Sequence, residues 1–222
     1  MQIPSDWTFE SKEVAKHFDN HVRETLPWYD LATNAVGHLT RHYVPKNGLV
    51  YDIGASTGNI GKTIAPIIKS RNASLIAIEP STEMAEQYDG GGELLITNAE
   101  EVIYKPFDVA ICFLSLMFVE VSYRASLIQT LKKQCKVGGA IIIFDKEIPT
   151  EGFLSTILYR LTLAGKIANG ISSEQVIAKE LSLSGVQRPL DKKTLGKEAK
   201  LWFKFGDFSG WVIEKQESLS EL

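Results

Sequence analysis

The chain has 222 residues, 44% of them apolar and 23% charged, with 24 Lys and Arg against 27 Asp and Glu for a formal net charge of −3. That balance describes one soluble globular domain with a full core and needs no second domain. It leaves no global basic field, so a nucleic acid would have to be gripped by a local patch and a small-molecule ligand is favoured.

The N-terminus, MQIPSDWTFESKEV, has no basic segment followed by an apolar run, and no stretch of about 18 apolar residues occurs anywhere. A cytoplasmic protein with no membrane partner is expected. Residues 11 to 43 carry helical periodicity in Val14, Phe18, Val22 and Leu26, then in Leu31, Val36, Leu39 and Tyr43, broken at Pro27. This segment is expected to cover the carboxyl edge of a sheet.

Short runs rich in β-branched residues follow at 48–54, 74–80, 93–97, 107–114 and 138–145, and they read as buried parallel strands. Helical patterns lie between them at 57–70, 81–89 and 123–136. Alternation of this kind builds a doubly wound α/β sheet. Residues 150 to 196 are helical and polar in turn, and KLWFKFG (200–206) and SGWVIEK (209–215) read as a closing hairpin. The expected layout is a single domain, 1–222, with a helical cap (1–46), a cofactor-binding core (47–147), a helical insertion (148–198) and a C-terminal hairpin (199–216).

The chemistry starts at VYDIGASTGNIG, residues 50 to 61. Asp52 ends a strand, Gly54 and Gly58 let a ligand approach bare backbone, and Asn59 opens a helix. A dinucleotide site would place a glycine where Ser56 stands. About twenty residues on, Glu79 ends the next strand, where a carboxylate can accept both hydroxyls of an adenosine ribose. Asn98-Ala99, after the third strand, is placed to meet an adenine. The three positions in order point to S-adenosylmethionine, whose methionine end would lie near Asp52 or the Gly54 carbonyl. Ile78 and Met84 read as core or cavity wall.

YDIGASTG, IAIEPS, ITNAEEV, FDVAICFLSLMFVE and LKKQCKVGGAIIIFDKE resemble the successive motifs of class I S-adenosylmethionine-dependent methyltransferases. DWTFESKEVAKHF, LPWYDLA, KIANGIS and LWFKFGDFSGWVIEK resemble the carboxy-S-adenosylmethionine synthases that serve tRNA wobble-uridine modification. The resemblance implies a Rossmann-like, mostly parallel seven-stranded sheet with helices on both faces. It implies cofactor contacts at Tyr29, at Gly54, Ala55 and Ser56, at Glu79 and Pro80, and at Asn98 and Ala99. A tyrosine beside a sulfonium is also sensible chemically, because its ring face stabilises positive charge. The related synthases are homodimers, and the aliphatic run GFLSTILYRLTLAGKI (152–167) suits a partner-facing or core helix.

Two positions depart from the synthase pattern. Cys112 stands where the family has an asparagine at the end of the fourth strand, and Glu180, with Lys179 beside it, stands where an arginine pairs with the product's carboxylate. A bare charge reversal there is expected to repel that carboxylate by several kcal/mol, taking about 4 Å and an effective dielectric near 20. The favoured function is therefore methyl transfer to an unidentified acceptor. Its alternatives are carboxy-S-adenosylmethionine synthesis from prephenate and non-catalytic binding of S-adenosylmethionine.

The Pro-Pro-aromatic signature of amino-base methyltransferases and a Pro-Cys nucleophile are both missing, and no catalytic residue is assigned. Candidate bases are His17, His21, His38 and His42 in the cap, with Asp145 and Glu147 after the fifth strand. The paired histidines come without cysteines or an HExxH pattern, and Cys112 and Cys135 read as core thiols, so no metal is expected. Lys192, Lys193, Lys197, Lys200 and Lys204, interrupted by Glu198, read as a solvated face rather than a tRNA-binding patch.

Overall fold

The computed structural model describes residues 8–149 and 152–217. The opening residues of the cap, including Trp7 of the DWTFESKEVAKHF motif, lie outside the described residues, as do residues 150 and 151 of the insertion.

Seven strands form one sheet in the order β3-β2-β1-β4-β5-β7-β6. The strands are β1 (Leu49–Ile53), β2 (Ser74–Ile78), β3 (Glu93–Leu95), β4 (Phe107–Phe113), β5 (Cys135–Lys146), β6 (Lys200–Phe205) and β7 (Phe208–Glu214). β1 to β5 are parallel, and only β7 runs antiparallel to its neighbours β5 and β6. β4 is buried at every residue and β1 at all but its first, which is why both read as continuous apolar runs. The third strand is shorter than the expected 93–97 because it pairs only with β2 at the sheet edge.

The helices are α1 (Lys12–Thr25), α2 (Tyr29–Tyr43), α3 (Asn59–Arg71), α4 (Thr82–Ala85), α5 (Val121–Gln134), α6 (Phe153–Ala168) and α7 (Ser173–Ser182). Ser11 caps α1 by accepting from Val14 N, and Pro27, which cannot continue a helix, separates α1 from α2. α2 buries Tyr29, Ala32, Thr33, Val36, Gly37 and Thr40, one stripe at spacings of three and four. One face of the sheet packs Val50, Val109, Ile111 and Ile142 with Val36 and Ile64 from α2 and α3. The other packs Ile53, Ile78, Cys112 and Ile143 with Leu127, Ile128 and Leu131 of α5.

The chain builds outward from β1 to β2 and β3, then crosses back to lay β4 on the other side of β1. Ile53 at the end of β1 is opposite Ile78 of β2 and Cys112 of β4. The strand order reverses there, so the loops after β1 and β4 diverge and leave a crevice at the carboxyl ends.

Candidate functional site

The turn after β1 is pinned from both sides. Gly54 N and Ala55 N donate to the Ile78 carbonyl at 2.8 and 2.9 Å. Gly54 has φ +75, and a Cβ there would sit 2.4 Å from the Ser115 Cβ, so only glycine lets the loops after β1 and β4 touch. Ser56 N donates to Glu79 Oε2 at 2.8 Å, and Ser81 N donates to Glu79 Oε1 at 2.9 Å. One buried carboxylate thus ties two loops while each oxygen keeps a lone pair for a ligand. Burial raises the Glu79 carboxyl, and the two N–H donors oppose that.

Asp52 lies behind this turn, fully buried, with its Oδ2 lacking a hydrogen-bond partner. Burial, then the nearby Glu79 charge, push its carboxyl up to about 7. Ser115 Oγ is likewise buried and unsatisfied. Orphaned acceptors of this kind beside a cavity suit a cationic, hydrogen-donating ligand.

α1 is clamped over the turn. Asp19 accepts from Thr57 Oγ1 at 2.5 Å, Asn59 Nδ2 at 2.8 Å and Lys62 Nζ at 3.4 Å. Its carboxyl is lowered despite burial, because these donors outweigh desolvation. Arg23 donates to Asp30 and Asn59 and lies 5.4 Å from the Tyr29 ring centroid. Tyr29, at the start of α2, is buried against the edge of Phe113, and burial raises its phenol.

These elements enclose a cavity of about 510 Å³ between the strand ends, α1 and the helical insertion. At one end stand Gly54, Ala55, Ser56, Glu79, Pro80, Asn98 and Ala99; at another stand Lys146, Lys166, Lys179 and Glu180. Glu180 accepts a 2.6 Å hydrogen bond from Lys166 Nζ and lies 3.7 Å from Lys146 Nζ. Burial would raise the Glu180 carboxyl, yet the two lysines hold it below the usual range.

No family model matches the chain. The carboxy-S-adenosyl-L-methionine synthase of Staphylococcus epidermidis is 31% identical over 225 residues, covering 96% of this chain and 98% of the relative. The chain belongs to the carboxy-S-adenosyl-L-methionine synthase family. The synthase of Shewanella pealeana is 28% identical, over 83% of this chain and 79% of the relative. The fold is also that of a putative S-adenosyl-L-methionine-dependent methyltransferase from Methanococcus maripaludis (TM-score 0.57, 17% identity, 99% and 100% of the two chains). The plantazolicin methyltransferase BpumL in complex with SAH shares it as well (TM-score 0.61, 13% identity, 94% and 92%). This member of the synthase family thus shares the fold of those methyltransferases.

Ten of the residues singled out in the synthase-family sequence line one cavity: Tyr29, Gly54, Ala55, Ser56, Glu79, Pro80, Asn98, Ala99, Lys179 and Glu180. Three stand outside its wall. Asp52 is behind the turn. Gly58, with φ +94, would drive a Cβ to 2.3 Å from Gly90 N, so its smallness serves loop packing. Cys112 is buried in the core on the α5 face, where burial raises its thiol, and Phe113 and Leu114 reach the cavity instead. Nor is Glu180 a bare negative charge, since two lysines neutralise it.

Of the candidate bases, His21 alone lines the cavity among the described residues. His17 pairs with Glu13, and the His38 and His42 rings meet edge to face. Asp145 accepts from Met117 N and Lys146 N to fix the loop after β4, and Glu147 binds Lys204 and Ser209. Among the described residues no group of three or more His, Cys, Asp or Glu could hold a metal ion. Reading the sequence missed Lys146, Lys166, Ser115 and the Asp19 clamp. Lys146 carried one signal, a charge at the end of an apolar strand.

Proposed function

We propose that this chain makes carboxy-S-adenosylmethionine from S-adenosylmethionine and a carboxylate-bearing co-substrate of the prephenate type, in tRNA wobble-uridine modification. The observation that carries this reading is the neutralisation of Glu180 by Lys166 and Lys146. It removes the repulsion that a lone glutamate would offer and supports a cavity end that accepts an anion.

When bound, the cofactor supplies an electrophilic sulfonium with an acidic methyl group. The chain's part is to bind, orient and exclude water. Glu79 accepts the ribose hydroxyls, the bare backbone of Gly54, Ala55 and Ser56 lets the ligand approach, and Pro80, Asn98 and Ala99 frame the adenosine. Tyr29 stands by the sulfonium, and the unsatisfied Ser115 Oγ and the charge of Asp52 answer the methionine ammonium. α1, latched by Asp19, closes the cavity so that positioning supplies the rate.

Glu180 in place of the family's arginine favours a second reading, methyl transfer to an unidentified acceptor. The two are separated by incubating the protein with S-adenosylmethionine and prephenate and analysing the small molecules by mass spectrometry. A cofactor product heavier by CO2 supports synthesis. Demethylated cofactor without that product supports methyl transfer, and unchanged cofactor refutes synthesis from prephenate. We also infer a homodimer formed through the exposed α6 stripe of Phe153, Ile157 and Leu161, which light scattering tests.

A further inference from the structure

Among the described residues four buried side-chain polar atoms have no hydrogen-bond partner: Asp52 Oδ2, Ser115 Oγ, Trp202 Nε1 and Trp211 Nε1. Ser115 alone of these four residues belongs to the cavity wall, where it is 8% exposed. The position that a Cβ on Gly54 would occupy lies 2.4 Å from Ser115 Cβ and 3.3 Å from its Oγ. The hydroxyl therefore stands beside the bare backbone of the turn after β1, at the end of the cavity where the methionine head of the cofactor is expected.

The chain is bent into that position at Leu114. Four non-glycine residues among the described ones have a positive φ: Asn47, Ser56, Asn72 and Leu114. Asparagine tolerates the left-handed region, but Leu114, at φ +54, carries a bulky branched side chain there, a conformation that persists only where its surroundings impose it. They impose it from both sides. Leu114 N donates to the Phe144 carbonyl at 2.7 Å, which carries the pairing with β5 one residue past the end of β4. Beyond it, the Ser115 carbonyl accepts from Phe118 N at 3.0 Å, and Met117 N donates to Asp145 Oδ2 at 3.2 Å. The Met117 carbonyl accepts from the Arg124 guanidinium at 3.0 Å and from Arg188 N at 2.9 Å. In an extended strand successive residues face opposite ways, so Phe113, Leu114 and Ser115 would not all reach one wall. The left-handed residue turns the chain, and all three line the cavity.

We propose that Leu114 is a positioning residue whose left-handed backbone sets Ser115 Oγ to accept a hydrogen bond from the cofactor's α-ammonium, and that the pair makes the site selective for a ligand with an amino-acid head. No covalent bond forms or breaks in this step. The ammonium N–H satisfies the orphaned oxygen, and the strained backbone holds that acceptor in place before the ligand arrives. The inference deepens the proposed binding of S-adenosylmethionine and rests on it.

The test is calorimetric titration of S-adenosylhomocysteine and of its deaminated analogue, which keeps the carboxylate and lacks the ammonium. Urea denaturation of each ligand-free protein runs alongside. Ser115→Ala is expected to weaken S-adenosylhomocysteine about tenfold and the analogue less than about threefold. Its urea midpoint is expected at or above that of the wild type, because the change deletes a buried hydroxyl that has no partner. Leu114→Gly accommodates φ +54 without strain and is expected to lose the same selectivity between the two ligands, since the aim of Ser115 is no longer imposed. The side chain it removes from the wall acts on both ligands and cancels in their ratio. In the double variant that ratio is expected to fall no further than in Ser115→Ala alone.

A urea midpoint clearly lower in Ser115→Ala, or equal losses for both ligands, overturns the assignment of Ser115. Wild-type selectivity in Leu114→Gly overturns the role of Leu114. Each of these results leaves the cofactor reading standing, whereas absence of S-adenosylhomocysteine binding to the wild type overturns that reading and this inference together.

Discussion

Glu79→Gln isolates the contact on which the cofactor assignment turns. Glu79 is 7% exposed, and its two oxygens already accept from Ser56 N and Ser81 N at 2.8 and 2.9 Å. Glutamine keeps the shape but turns one acceptor into an amide donor facing an N–H, which costs about 1–3 kcal/mol of stability. Toward the ribose it removes the charge from one hydrogen bond and abolishes the other, about 2–4 kcal/mol, or roughly thirty- to a thousand-fold in Kd. A drop in affinity alone would not separate the ribose contact from damage to the turn. Calorimetry is therefore run on both proteins with S-adenosylhomocysteine and with its analogue lacking the 2′ and 3′ hydroxyls. Damage to the turn weakens both ligands equally and cancels in the cycle. The variant is expected to lose the full factor for the complete ligand and less than about threefold for the analogue. Equal losses for both would refute the ribose contact and leave Glu79 as a strut between two loops.

Gly58→Ala places a Cβ 2.3 Å from Gly90 N and 2.7 Å from Gly90 Cα at φ +94. It is expected to cost about 2–4 kcal/mol in urea denaturation, and a cost under about 1 kcal/mol would show that the Gly90 loop yields. The Asp52 carboxyl ionises near 3.8 when unfolded but near 7 when folded. The native state therefore holds the proton longer, and this group lowers stability progressively from pH 3.8 to 7 and fully above that. Asp52→Asn is expected to raise Tm, relative to wild type, by several degrees more at about pH 8 than at about pH 4.5 in differential scanning fluorimetry, while weakening cofactor binding. Glu180→Arg restores the family's residue but sets another cation against Lys166 and Lys146. We expect it to destabilise the fold by about 2–4 kcal/mol in urea without improving prephenate affinity.

That the strand-end candidates would meet at one cavity was legible in the sequence, whereas Tyr29, on α2, was placed only by resemblance. Asp52, Glu79 and Asn98 each follow a recognisable apolar run, and a doubly wound sheet brings such ends together whatever the loops contain. Short segments fared worse: the helix expected over 81–89 is the single turn Thr82–Ala85. Gly58 read as a ligand contact because glycines do permit approach, and nothing local revealed that Gly90 is what approaches. Cys112 ends the fourth strand as expected, but alternation turns it to the α5 face and leaves Phe113 at the cavity. At the basic end only Lys179 and Glu180 stood out in the sequence. Lys146 and Lys166 come from a strand and a separate helix whose placement beside α7 no local periodicity encodes, and Lys166 lay in a run that read as a partner-facing or core helix.

That difference explains why Glu180, read alone, suggested repulsion where the structure shows a lysine cluster around it. A single substitution, arginine to glutamate, changes the charge at one position by two units, and in isolation that forbids a carboxylate nearby. Charge in a partly buried site belongs to the cluster, however, because at separations near 3 Å every group titrates in the field of the others. Lys146 and Lys166, carried on β5 and α6, convert Glu180 from a ligand-facing charge into the brace that holds two ammonium groups in position. The acidic residue then orients the basic ones, as a carboxylate orients a metal-bound histidine. A glutamate standing where the family has an arginine therefore leaves this end of the cavity basic, because lysines from other elements surround it.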